Sequence, residues 1–482
     1  MIKVYSGKII VTDYEIGDNE NIELALSYWD KALFTHVMLN GHYDSEKRCL
    51  FIPKGYSIPK LENELNTGVE YRINEYNEYD KIIFTLKTKP RDKNQTTALS
   101  FLAGVNGFEA YSSARRKMLQ LGTGIGKTYV SIAIMWYFKL RGAIIMNKDG
   151  LIEQWKEKIM EYTNIISDEI FIIKGTSSIE KILKMNEDDK KRFDSIKVFL
   201  ISHGTITSYA NMNSWDSVTD LFKILRVGIN IIDEAHLAYK NILMIDFYTN
   251  VYRTIYLTAT AGKSDINQNK LYVKAFSNLP TLTIKNSQEN SNVVTNVITY
   301  KTKPTLQEVG LMSTMRGINR NFYVEYSVRG KGRELFFKCM KLILNTFKDK
   351  DGSMAFLLLR KFAVYDMQQF IIDEFPELKD DIGIYISDIP KKEREEQLKK
   401  KIILSTSSSF GTGIDVKDLY VLVNTEPGSS KIVLEQNFGR LRNKGYYFEV
   451  YDKGIIKRNN QFNMIREKLK SLSKRVTIRE MV

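Results

Sequence analysis

The sequence predicts an α/β protein, with two parallel-sheet domains preceded by a small α+β domain. Three observations carry this expectation. An apolar run, a glycine-rich turn and an apolar helical stretch follow one another in 118-MLQLGTGIGKTYVSIAIM-135. A hydrophobic strand pattern ends on two adjacent carboxylates in 229-INIIDEAHLA-238. Further on, 353-SMAFLLLRK-361 and 402-IILSTSSSFGTGIDVKDLYVLV-423 repeat short buried-strand patterns around a Ser/Thr/Gly-rich loop. A chain of 482 residues is too long for one core. The expected bounds are 1–88 for the N-terminal domain, 89–290 for the first parallel domain and 291–482 for the second. The Asn/Ser-rich 286-NSQENSN-292 serves as the hinge between the last two.

Composition narrows the class. Hydrophobic residues make up 43%, ordinary for a globular chain. Apolar runs are short, so no membrane span is expected. No signal peptide is expected either, and the two cysteines, Cys49 and Cys339, lie far apart. A reducing, cytoplasmic setting fits both. The formal net charge is +14, which reads either as lysine-rich composition or as the mark of a polyanionic partner. Half of that excess lies in Lys453–Val482, where nine Lys/Arg face only Glu467 and Glu480.

In chain order, Val4 and Ile9–Val11 predict a hairpin, 48-RCLFIPKGYS-57 a strand, and Lys81–Leu86 another strand. Tyr56, Tyr71, Tyr76 and Tyr79 read mostly as core or half-buried residues, with base stacking as the alternative. Met118–Leu121 predicts a buried strand and Val130–Tyr137 an apolar helix. Between them, Gly122, Thr123, Gly124, Ile125 and Gly126 let backbone N–H groups approach a phosphate at a helix N-terminus. Lys127 would reach the β and γ phosphates, and the Thr128 hydroxyl would bind Mg²⁺. The first glycine of the common phosphate-loop pattern is Leu121 here. Asp233 can hold Mg²⁺ through water, and Glu234 can orient and deprotonate an attacking water. Thr258 and Thr260 end the next strand pattern. Downstream, 434-LEQNFGRLRNKG-445 offers Gln436, Arg440 and Arg442, arginines suited to the charge on a transferring phosphoryl group.

Residues 316–333 interleave Arg316, Arg320, Arg329, Lys331 and Arg333 with Phe322, Tyr323 and Tyr326. This reads equally as a nucleic-acid contact or as a wet domain-entry segment. The helical 391-KKEREEQLKKK-401 is most simply a solvated face. In the last helix Phe462, Ile465, Leu469 and Leu472 share one face. Lys468, Lys470 and Lys474 point to solvent or to a phosphate backbone.

Taken together and in order, these motifs resemble the superfamily 2 helicases and translocases of the DEAH-box type. Within that group the chain is similar to the UvsW-like branch-migration helicases of phages and large DNA viruses. The resemblance implies two RecA-like domains, ATP and Mg²⁺ as cofactors, and nucleic acid, most readily branched or forked DNA, as partner. No stable protein partner is implied. It assigns catalysis to Lys127, Asp233, Glu234, Arg440 and Arg442, adenine reading to Gln95, and fifth-motif roles to Gly413 and Asp415. His236, Thr258, Thr260 and Gln436 would couple hydrolysis to movement. Asn147, Lys148, Gln154, Trp155, Arg316, Arg320 and Thr406, with the tail lysines, would contact nucleic acid. The sixth motif is one residue short between Gly439-Arg440 and Arg442, which leaves open which arginine serves as the finger. A viral transcript-release or RNA helicase is the alternative, and a binding or annealing factor with a vestigial ATP site is a third.

Overall fold

The computed structural model describes the chain except residues 31–32, 123, 260–265, 285–291, 315–316, 411–415, 417, 429, 442–443 and 482, and the side chains of 266, 391, 392 and 432. Two compact units result, Met1–Lys285 and Asn286–Val482.

The first unit opens with a five-stranded sheet, ordered His42–Asp44, Cys49–Pro53, Lys8–Thr12, Ile2–Val4, Val69–Tyr71. The expected hairpin is there, with Ile2 opposite Val11 and Val4 opposite Ile9. Cys49–Pro53 is buried throughout because both its faces are covered. Leu50 and Ile52 enter the module's own core. Phe51 turns the other way, stacking on Phe247 at 5.8 Å and lying tilted against Tyr248 at 5.1 Å, both on the parallel-sheet part of the unit. Lys81–Leu86 is not the expected strand. Ile82 and Phe84 are buried as the alternation requires, but the segment forms only isolated bridges, to Leu140 and Thr163. No strand runs beside it to complete a ladder.

The remainder of this unit is a seven-stranded parallel sheet. Its order is Ile170–Ile173, Val198–Ser202, Gly142–Met146, Ile229–Ile232, Arg253–Thr258, Arg116–Leu121, Thr281–Ile284. Helices cover both faces, so most strands read as unbroken apolar runs. The strand before the glycine turn starts earlier than its apolar run. Arg116 and Lys117 lie inside it, satisfied by Asp246 and Ser6 and by the carbonyls of Phe101 and Leu102.

The second unit repeats the architecture. Its parallel sheet is ordered Ile382–Tyr385, Ile402–Thr406, Ser353–Leu358, Leu419–Asn424, Lys444–Asp452, Asn292–Tyr300, Arg475–Glu480. The terminal helix spans Ile456–Leu472 and buries Phe462, Ile465 and Leu469, as their shared face predicts. Beyond it, Arg475–Glu480 pairs with Asn292–Tyr300 as an edge strand that the charged tail did not announce. In the 316–333 segment Tyr323 and Tyr326 turn into the core. Arg329 forks onto Asp366, and Lys331 pairs with Glu308. These aromatics offer no stacking platform. Among the described residues, no helix is long and apolar enough to cross a membrane.

Candidate functional site

Three neighbouring strands, Ile229–Ile232, Arg253–Thr258 and Arg116–Leu121, deliver the carboxylate pair, Thr258 and the glycine turn side by side. All three end in the same direction, and the carboxyl edge of a parallel sheet is where such folds bind ligands. Leu121 is fully buried as the last strand residue, so the turn proper begins at Gly122. That is why the missing first glycine is tolerated.

Gly124 and Gly126 have φ of +81° and +105°, values that side chains resist. At Gly126 an added Cβ would also lie 2.2 Å from Gln95 Nε2. The helix Lys127–Phe138 starts with no side-chain cap, leaving its first N–H groups for a ligand. Gln95 is buried beneath the turn. Its amide donates to Ile125 O at 2.9 Å, and its carbonyl accepts the Arg91 N–H at 2.7 Å. Arg91 reaches over and donates to Gly124 O at 3.0 Å. Asp92 caps the helix that holds Gln95. Arg91 went unremarked in the sequence, although an Arg-Asp pair at a helix start is a readable signal.

Lys127 Nζ lies 2.7 Å from Glu234 Oε1, both largely buried. Glu234 Oε2 is 3.3 Å from His236 Nδ1, which bonds Thr258 Oγ1 at 2.8 Å. Glu234 itself has φ of +49°, a strained value for glutamate that aims its side chain at the lysine. Burial pushes the Glu234 carboxyl up, but the Lys127 charge and hydrogen bond outweigh it and hold the group below its ordinary value. Asp233 goes the other way. Burial, then the neighbouring Glu234 charge, push its carboxyl up to about 6. Its oxygens accept the Glu234 N–H at 3.0 Å and the Trp155 indole N–H at 3.4 Å.

Trp155 therefore departs from the expected nucleic-acid contact. It is only 5% exposed and points at Asp233 from the helix Ile152–Tyr162. Gln154 and Lys148 of the same segment are exposed, and Asn147 is half-buried. Thr406 is buried too, and its hydroxyl accepts the Ser409 N–H, shaping the turn after its strand. Thr123, Thr260, Arg316, Gly413, Asp415 and Arg442 fall outside the described residues.

The second unit has a cavity of about 470 Å³, lined by Arg320, Arg360, Glu426, Gln436 and Arg440. The Arg440 guanidinium lies over the Phe410 ring, 4.8 Å from its centre. Glu426 accepts the Ser407 N–H at 3.0 Å, and burial raises its carboxyl despite Arg320 nearby. Of the tail cations, Lys468 pairs with Glu435 and Lys470 with Glu467, while Lys474 donates to Asn292. Exposed pairs of this kind are worth under about 1 kcal/mol and can be exchanged for a phosphate.

Comparison with known proteins agrees with this geometry. Residues 85–263 match the family of the type III restriction enzyme res subunit. The chain is 25% identical over 427 residues to a transcript termination protein of Yaba-like disease virus, across 85% of this chain and 80% of that one. It is 24% identical over 456 residues to a protein of Acanthamoeba polyphaga mimivirus that bears the name of an ATP-dependent RNA helicase, across 93% and 76%. Among solved structures, S. cerevisiae Dbp5 bound to RNA and ADP BeF3 aligns with a TM-score of 0.50 and 17% identity, over 82% of this chain and 90% of that one. At that identity the likeness is one of fold. T4 UvsW aligns over 100% and 99% with a TM-score of 0.38 and 18% identity.

Proposed function

We propose that this chain, a superfamily 2 helicase-type ATPase with two RecA-like domains, uses hydrolysis to move along nucleic acid and remodel forked or branched DNA. The observation that carries the motor reading is the Lys127–Glu234 pair beside an uncapped helix start. In this arrangement each group restrains the other. Once the terminal phosphates draw Lys127 away, Glu234 is released to orient water and take its proton. His236 Nδ1 lies 3.3 Å from the second carboxylate oxygen and bonds the Thr258 hydroxyl, so the base lies beside the adjacent strand end. Gln95, expected to read adenine, has its amide and carbonyl committed to Ile125 O and the Arg91 N–H, so with Arg91 it shapes the turn instead. Arg440 is proposed to supply positive charge for the transferring phosphoryl group.

Thr128 and Asp233 fit a magnesium ion. A buried carboxyl pushed up to about 6 by a neighbouring carboxylate is a group short of positive charge. The ion would supply charge neutralisation at the phosphates. Lys148 and Gln154 in the first unit, with Arg320 and the tail lysines in the second, are proposed to grip phosphates, so sequence preference should be low.

The two viral relatives favour a second reading, displacement of RNA, because their names concern transcript termination and RNA unwinding. ATPase stimulation by single-stranded, duplex, forked and four-way DNA beside matched RNA separates the two. Forked or four-way DNA should stimulate most. Stimulation confined to RNA-containing substrates establishes the second reading instead.

A further inference from the structure

The helix Ile266–Phe276 is the first described element after Thr258 in the chain. Its inner face touches all three walls of the ATP site. The Tyr272 hydroxyl donates to Met118 Sδ at 4.0 Å, on the strand that feeds the glycine turn. The Tyr272 ring packs edge-on against Tyr239, 5.6 Å away, at the start of the helix that follows the carboxylate loop. Phe276 packs 5.2 Å from Tyr256, two residues before Thr258. Burial, and then the Glu234 charge, push the Tyr272 hydroxyl up.

The outer side of the same helix is held by the N-terminal module. Asn40 is fully buried and donates to Leu271 O at 2.7 Å. Lys274 reaches back to Ala25 O at 3.3 Å, with its ammonium 4.3 Å from the centre of the Tyr56 ring. The Tyr56 hydroxyl donates to that same Ala25 carbonyl at 2.6 Å. At Gly55 the backbones touch, since an added Cβ would lie 2.3 Å from Lys274 O. Ser277 and Asn278 both donate to Gly55 O at 3.2 Å. This grip is polar and directional: Asn40 bonds the backbone of the helix, and Lys274, Ser277 and Asn278 bond carbonyls of the module, so register is fixed as well as proximity.

We propose that the N-terminal module is a coupling element, with Asn40 and Lys274 as positioning residues that set Ile266–Phe276 against the Thr258–His236–Glu234 chain. The proposal rests on the motor reading above. Loosening the grip leaves the phosphate turn intact and uncouples hydrolysis from the bound strand. The helix is packed between the module on one side and Met118, Tyr239 and Tyr256 on the other, a contiguous contact through which such coupling travels.

The test compares wild type with Asn40→Leu, Lys274→Met and Lys274→Arg, measuring unfolding temperature, ATP KM, basal kcat and nucleic-acid-stimulated kcat. The expected result is an unchanged KM and basal kcat, with stimulated kcat down about fivefold or more in the first two variants. Lys274→Arg, which keeps a cation over Tyr56 and a donor for Ala25, should restore stimulation. Full stimulation in both Asn40→Leu and Lys274→Met overturns the proposal, whatever their unfolding temperatures. If Asn40→Leu fails to fold, the Lys274 pair decides alone. A wild-type protein whose hydrolysis no nucleic acid stimulates overturns the motor reading itself.

Discussion

Lys127 and Glu234 hold each other 2.7 Å apart across the head of the first parallel sheet. The pair joins the two motifs most legible in the sequence, and under the proposed function the lysine would exchange the carboxylate for a phosphate. Lys127→Ala should lower ATP hydrolysis by several orders of magnitude while nucleic-acid binding without nucleotide survives. Glu234→Gln should still bind nucleotide and stall before chemistry. Filter binding and single-turnover hydrolysis read both. Loss of nucleotide binding in Glu234→Gln removes its assignment as the base.

Asp233 titrates at about 6, above its unfolded value, so folding takes up a proton there. Its contribution is fully present below the ordinary carboxyl value and is lost as pH rises from there to about 6. In magnesium-free buffer, Asp233→Asn should raise the unfolding temperature by a few degrees near pH 8 and change it little near pH 3.5, below the unfolded value. An equal gain at both pH values would contradict the raised carboxyl. Trp155→Phe removes one donor to Asp233 and should move the acidic limb of the pH–rate profile upward.

The basic tail predicts a steep salt dependence, because each neutralised phosphate releases condensed counterions. Changing Lys468, Lys470, Lys474 and Arg475 together to Gln spares the buried face of Phe462, Ile465 and Leu469. Folding should persist and the slope of log affinity against log salt should become shallower. An unchanged slope makes the tail a solvated surface.

Arg440 ends the helix Lys431–Arg440 and lines the second unit's cavity with Gln436. Arg440→Lys should cut kcat by orders of magnitude with a modest change in ATP affinity. Arg442→Lys should do less. A larger single-turnover defect at Arg442 exchanges the two roles.

What the sequence made legible follows from how parallel sheets are built. Strands covered on both faces read as short apolar runs, and their ends read as Gly, Asp, Glu and Thr, which is why Gly122–Lys127, Asp233–Glu234 and Thr258 stood out. The resemblance of the turn at Leu151, Gln154 and Trp155 places Trp155 on nucleic acid, whereas its partner Asp233 is 78 residues away and leaves no local signal. The Arg475–Glu480 strand was hidden because an edge strand has little apolar alternation to show. At Lys81–Leu86 the alternation was real, but no neighbouring strand was available to pair with it.

The most direct test of the account is strand displacement from a forked DNA by wild type and by Glu234→Gln. The account predicts release by wild type only with ATP and magnesium, and none by Glu234→Gln despite tight binding of nucleotide and fork. Release that proceeds equally without ATP, or equally in Glu234→Gln, would contradict it and mark the chain as a binding or annealing factor instead.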